Sequence, residues 1–132
     1  MTELPSFEGT RILLLEDEPL VSMALEDALL DLGCEVLGPF LHLEDAFAYV
    51  HGHSREIDIA LLDINIHGER SFGLAELLVQ LDIPFFFSTG YDEAGIDWRW
   101  RAWPNLGKLF TRPRLAAMIG QQLGRDMAVT GR

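Results

Sequence analysis

The 132-residue chain has a single cysteine, Cys34, so no internal disulfide can form, which fits a reducing compartment and makes a cytoplasmic location the expectation. Long apolar runs are missing too. Stretches such as Ile12 to Leu15 fall far short of the roughly 20 residues a membrane span needs, so no membrane insertion is expected. The N-terminus, Met-Thr-Glu-Leu-Pro-Ser-Phe-Glu, has neither a basic region nor an apolar core, which argues against a secretory signal. Basic residues are scarce: 10 Lys and Arg stand against 21 Asp and Glu, a net charge of -11 that argues against a general nucleic-acid binder. Length allows one ordinary domain. It is taken as residues 11–126 between an N-terminal extension, 1–10, and a C-terminal tail, 127–132, with any output passing through partners.

What charge there is lies unevenly. Six basic residues (Arg99, Arg101, Lys108, Arg112, Arg114, Arg125) fall between positions 99 and 125 without an acid among them. That cluster reads either as a solvated face or as a docking surface for an acidic partner.

Short apolar runs alternate with helical periodicity. Arg11 to Leu15, Glu35 to Leu37, Ile57 to Leu62 and Phe85 to Phe87 lack period-2 alternation, as strands covered on both faces do. Between them Pro19 to Leu32 repeats apolar residues at helical spacing, with Pro at its start and Gly33 just past its end. Further helices are expected around Glu44 to His51, Leu74 to Leu81, within Glu93 to Arg101, and over Pro113 to Leu123. With a fifth strand at Asn105 to Gly107, the alternation predicts an α/β fold, a doubly wound five-stranded parallel sheet of (βα)5 flavodoxin-like type.

Polar residues sit where these strands end. Glu16 and Asp17 follow the first, Asp63 the third, Ser88 and Thr89 the fourth, and Lys108, the only lysine, the fifth. The carboxyl edge of such a sheet is where ligands bind. Three converging carboxylates repel one another, and a cation resolves the repulsion. Mg²⁺, which takes hard oxygen ligands, is the natural one, held by Glu16, Asp17 and Asp63. Asp63 would then be both ligand and nucleophile toward phosphorus, Lys108 its paired point charge, and the Thr89 hydroxyl and Gly90 N–H binders of phosphoryl oxygens.

At this point the chain resembles the response-regulator receiver domains over nearly its whole length. Ile-Leu-Leu-Leu-Glu-Asp-Glu-Pro (Ile12 to Pro19) resembles the family's opening motif with its acid pair, and Asp63 in Ala-Leu-Leu-Asp-Ile-Asn matches the phosphoacceptor. Asn65 matches the position whose backbone carbonyl ligates the metal, and Thr89 and Lys108 match the family's hydroxyl and lysine. Pro84-Phe-Phe-Phe-Ser-Thr-Gly-Tyr91 is similar to the signature of the single-domain FAT GUY group. The resemblance implies a stand-alone regulator of a two-component phosphorelay. It would be a switch and not an enzyme beyond its own phosphorylation and dephosphorylation, and would take its phosphoryl group from a sensor histidine kinase or phosphotransfer protein. It would signal to a downstream protein target as a monomer or weak homodimer. The alternative is a phosphorylation-independent pseudo-receiver module.

Departures from the family pattern bear on that choice. Leu109 follows Lys108 where proline is usual, so a trans bond and a shifted loop are expected. Asn105 or Leu106 occupies the position of the family's aromatic switch, so the signal must travel differently, and Tyr91 is either a replacement switch, a lid over the acyl phosphate, or a packed surface residue. Trp98-Arg-Trp-Arg-Ala-Trp103 is rich in binding hot-spot residue types; Trp98 and Trp100 are read either as a partner surface or as core packing.

Overall fold

Buried on every residue but the first, Arg11–Leu15 forms strand β1. Helix α1 (Pro19–Asp31) leads to β2 (Glu35–Phe40), α2 (Leu43–His53), a 3-10 turn at Ser54–Glu56, and β3 (Ile59–Leu62). A short hairpin, β4 (Asn65–Ile66) and β5 (Glu69–Arg70), precedes α3 (Phe72–Gln80), β6 (Phe85–Phe87), α4 (Trp98–Arg101) and α5 (Arg112–Gln122). The computed structural model describes residues 6–89 and 98–124, with the side chain of Trp98 excepted.

The main sheet is parallel, in the order β2-β1-β3-β6. Successive residues of a strand point to opposite faces, and the run is apolar throughout, so each face needs its own cover. Leu13, Leu15, Leu62, Phe85 and Phe87 pack with Val50 of α2, Leu74 and Leu78 of α3 and Trp100 of α4. Ile12, Leu14, Leu61 and Phe86 pack with Leu25 and Leu29 of α1 and Leu115 and Ile119 of α5. Three layers result. Phe7, ahead of β1, is fully buried in the second cluster, and its N–H donates to Leu32 O at 2.7 Å.

The expected α/β class with a parallel sheet holds, but the described sheet has four strands, not five. At the fifth position a single bridge pairs Phe87 with Asn105, made by Leu106 N–H to Phe87 O (2.7 Å) and Phe87 N–H to Pro104 O (2.9 Å). Pro104 has no N–H to extend the ladder, and Gly107, at φ +83°, turns the chain away. Strand β2 runs three residues further than expected, through cis Gly38-Pro39. Gly33 sits at φ +90°, where a Cβ would lie 2.9 Å from Glu8 Oε2, so the end of α1 needs glycine both for conformation and for space.

Helix α1 buries Ser22, Leu25, Ala28 and Leu29 and leaves Leu20 80 % exposed, although Leu20 belongs to its apparent apolar stripe. Of the two readings open for the tryptophan segment, Trp100 takes the core. It is 5 % exposed and stacks on Phe72 (5.8 Å, 2° between planes), so it is not available as a contact surface; four-residue α4 presents one ring inward and Arg99 outward over it. Two residues of the basic cluster pair within the chain, Arg99 with Glu76 (2.6 and 3.2 Å) and Arg112 with Asp31 (3.1 Å).

Candidate functional site

The sheet order reverses between β1 and β3, and the residues that follow these two strands meet there. Leu15 is in register with Leu62, and Asp63 N–H donates to Leu15 O (2.9 Å), which sets Glu16 beside Asp63. Glu16 is 1 % exposed and Asp63 4 %. Lys108 reaches into this pair: its Nζ lies 2.9 and 3.0 Å from the two Glu16 carboxylate oxygens and 2.9 Å from Asp63 Oδ2. The one cis peptide bond among the described residues is Gly38-Pro39, so Lys108-Leu109 is trans, and the loop nevertheless delivers the ammonium to Asp63.

Lys108 also touches Glu18 Oε1 at 3.1 Å. Glu18 is an addition to the residues expected here; in the sequence it is the last of the acidic run Glu16-Asp17-Glu18 before Pro19, which by itself reads equally as a solvated helix start. Carboxylate oxygens of Glu16, Asp17, Glu18 and Asp63 all lie within 4.8 Å of one another, so the cluster could hold a metal ion. A cleft of about 90 Å³ is lined by Asp17, Glu18, Asp63, Asn65, Thr89 and Lys108.

The hairpin β4–β5 is likewise an addition to the expected elements. It turns on His67 (φ +52°) and Gly68 (φ +85°), two left-handed residues as a tight two-residue hairpin requires, and the His67 N–H donates to Asp17 Oδ2 at 2.9 Å. It thereby fixes Asp17 and carries Asn65 to the cleft. Ser71, at the foot of the hairpin, donates its hydroxyl to Asp63 O (2.7 Å). Asn65 Oδ1 is, among the described residues, the one buried side-chain polar atom without a hydrogen-bond partner.

Thr89 follows β6 by two residues, is buried, and donates its N–H to Asn105 Oδ1 at 3.1 Å. Glu16, Asp17, Asp63, Thr89 and Lys108 are thus brought together, with Asn65 lining the cleft and Asn105 behind Thr89. Gly90 and Tyr91, and the side chain of Trp98, lie outside the described residues.

Charge in this site is poorly balanced, with four carboxylates around one ammonium. Burial pushes the Glu16 carboxyl up to about 7 against the pull of Lys108 and of the Glu18 N–H, and Asp63 adds to the rise. Burial raises Asp63 as well, again with Lys108 opposing. Burial alone would lower Lys108, but Asp63, Glu16 and Glu18 outweigh it and hold the ammonium protonated well above its ordinary range. An all-oxygen, carboxylate-rich donor set with an orphaned amide oxygen at its rim suits a hard divalent ion such as Mg²⁺.

A pH dependence follows. Folded Glu16 keeps its proton to about pH 7, whereas the unfolded chain releases it near 4.5. Between those values the unfolded state binds fewer protons, so stability falls as pH rises. In EDTA the melting temperature should therefore drop from pH 5 to pH 7.5, by the equivalent of up to about 3 kcal/mol. Millimolar Mg²⁺ should flatten that slope and release protons on binding near pH 6.5. Calorimetric melts at several pH values check it, and a slope unaffected by Mg²⁺ would contradict the cation reading.

No protein-family model matches the chain. The phyllosphere-induced regulator PhyR of Methylorubrum extorquens is 34% identical over 94 residues, which cover 69% of this chain and 34% of that relative; the chain thus spans about a third of its length. The solution structure of SdrG from Sphingomonas melonis Fr1 is 40% identical over 87% of this chain and 97% of that one, with a TM-score of 0.77. The BeF3-activated conformation of SdrG from Pseudomonas melonis Fr1 has a TM-score of 0.73 at 40% identity, over 89% of this chain and 98% of that one. The anti-anti-sigma factor PhyR of Bartonella quintana is 26% identical, with a TM-score of 0.73 over 88% of this chain and 48% of that one.

Proposed function

The chain belongs to the response-regulator receiver family, and from that premise we propose that it is a phosphorylation switch whose acceptor is Asp63. The observation that carries the proposal is the contact of Lys108 Nζ with both Asp63 and Glu16 at 2.9 Å in a buried, acid-lined cleft. A free carboxylate is a weak nucleophile toward an anionic phosphoryl group, and the protein's work is positioning and charge. One Asp63 carboxylate oxygen attacks phosphorus, the bond from phosphorus to the donor's nitrogen breaks, and an acyl phosphate forms. Lys108 then moves its pairing from the Asp63 carboxylate to a phosphoryl oxygen. Thr89 supplies a hydroxyl from the far wall of the cleft, and Ser71 keeps the Asp63 backbone from recoiling. Glu16, Asp17 and Asp63, with the backbone carbonyl of Asn65, would hold Mg²⁺, which neutralises charge on the transferring group.

The donor in this proposal is a sensor histidine kinase or phosphotransfer protein, and the receiver of the signal is a protein recognised in one state only, in a cytoplasmic setting. PhyR, described as a regulator and as an anti-anti-sigma factor, supports a protein target. The Phe85–Phe87 strand running into Ser88 and Thr89 supports placement in the FAT GUY group. No helix among the described residues is long and apolar enough to cross a membrane.

The test is intact mass after incubation with Mg²⁺ and acetyl phosphate. The expected result is a gain of one phosphoryl group that EDTA prevents. No gain from acetyl phosphate or a kinase, together with no change in the protein's spectra on adding beryllofluoride, would overturn the proposal in favour of a phosphorylation-independent interaction module.

A further inference from the structure

Asn105 lies between the two loops that form the cleft's far wall. Its carboxamide oxygen accepts two hydrogen bonds, from Thr89 N–H at 3.1 Å and from Gly107 N–H at 3.0 Å. Gly107 is the residue before Lys108, and Thr89 lines the same cleft as Lys108. One oxygen therefore ties the loop carrying the hydroxyl to the loop carrying the lysine. An amide oxygen has two lone pairs, and both are used. Neither loop moves without the other unless a bond breaks.

The backbone of the same residue is held from the opposite side. Arg114, on α5, donates from Nη2 to Asn105 O (3.1 Å) and from Nε to Leu106 O (3.3 Å). Arg114 N–H in turn donates to the capping hydroxyl of Thr111 at 3.2 Å. A continuous polar path runs from the cleft wall through Asn105 to the first turn of α5. Among the described residues this segment is held to the sheet by one β-bridge, by buried Leu106 and by the Ser88 hydroxyl donating to Gly107 O at 3.3 Å, and the Asn105 and Arg114 bonds add to these.

We infer that Asn105 is a positioning residue that sets Thr89 and Lys108 in one frame around Asp63 and passes their displacement to α5 through Arg114. The inference rests on the proposed function, and deepens it by naming how the state of the cleft leaves the cleft. When Thr89 and Lys108 are drawn toward a phosphoryl group, both donors move on the same acceptor, and the two carbonyls gripped by Arg114 move with it. A two-state element biased by both ends is what such coupling needs.

The test uses the full chain. Asn105→Leu removes the acceptor while keeping the branching at Cγ, Asn105→Asp retains it, and Arg114→Gln cuts the path further on. Amide hydrogen exchange at Thr89 and Gly107 should accelerate together by about tenfold in Asn105→Leu, the equivalent of one lost hydrogen bond, and return toward wild type in Asn105→Asp. Phosphoryl uptake from acetyl phosphate should slow in Asn105→Leu. In Arg114→Gln both amides should stay protected while the beryllofluoride-induced shifts of α5 resonances shrink. Exchange within twofold of wild type in Asn105→Leu, an Asn105→Asp that behaves like the leucine variant, or undiminished α5 shifts in Arg114→Gln would each overturn the inference. Should Asn105→Leu fail to fold, the aspartate and Arg114 variants decide it. A wild-type chain that takes up no phosphoryl group would defeat the proposed function instead, and the exchange comparison would still rule on Asn105.

Discussion

Asp63→Asn is expected to abolish phosphoryl uptake completely and, without a divalent ion, to make the protein more stable at pH 8. The two effects have one cause. The Asp63 carboxylate is buried at 4 % exposure among three other carboxylates, and burial raises its pKa even with Lys108 at 2.9 Å. A group whose folded pKa is raised keeps its proton longer in the folded state, so its contribution to stability declines as pH climbs past its ordinary value of about 4. The amide of Asn is nearly isosteric, accepts from Lys108 and carries no charge to desolvate. It cannot form an acyl phosphate. The gain in melting temperature should vanish near pH 4 and grow as pH rises above it. Equal melting at all pH values would mean that the site carries no electrostatic strain.

Lys108→Met should act in the opposite direction. Lys108 is the single ammonium among Glu16, Glu18 and Asp63. Its removal leaves buried carboxylates without a partner, which costs about 3 to 5 kcal/mol when they are ionised. For a domain of this size that is roughly 10 to 20 °C in melting temperature. The loss should be largest at pH 8 and shrink as pH falls through about 7, where Glu16 takes up its proton and stops repelling Asp63. Mg²⁺ should restore most of it, since the ion supplies the charge that the lysine gave. Phosphoryl uptake should fall sharply even with Mg²⁺ present, because the lysine's second pairing, with the phosphoryl oxygen, has no substitute. A Lys108→Met protein as stable as wild type at pH 8 would show that the buried carboxylates are neutral there.

The cluster was legible because strand burial is legible. Ile12 to Leu15, Ile59 to Leu62 and Phe85 to Phe87 are apolar on both faces, and the first polar residue after each such run has to lie at the sheet's carboxyl edge. Order along the chain then brought Glu16, Asp63 and Thr89 to one place. The hairpin between Asn65 and Arg70 was not legible, since two-residue strands have no period and the His67-Gly68 pair, though it tolerates positive φ, does not by itself mark a turn. Nor was Glu18's contact with Lys108, ninety positions away in sequence. The burial of Trp100 depends on Phe72 and Phe87 arriving beneath it, which no local spacing encodes. Asn105 stood out as a polar residue in an unusual place, but its two donors come from different loops, and only the closed fold shows them sharing one oxygen.

The ends of the sheet bear on how the chain keeps its own company. On one side β2 carries Pro39, which has no N–H to offer a neighbouring strand, next to Gly38 in the left-handed region. On the other side the place of a fifth strand is taken by Pro104, one bridge and the glycine turn at 107. Among the described residues, each margin thus carries a proline and a left-handed glycine that interrupt a regular row of donors and acceptors. A proline and a glycine turn at each border work against growth by strand addition, the usual route from an α/β sheet to a fibre.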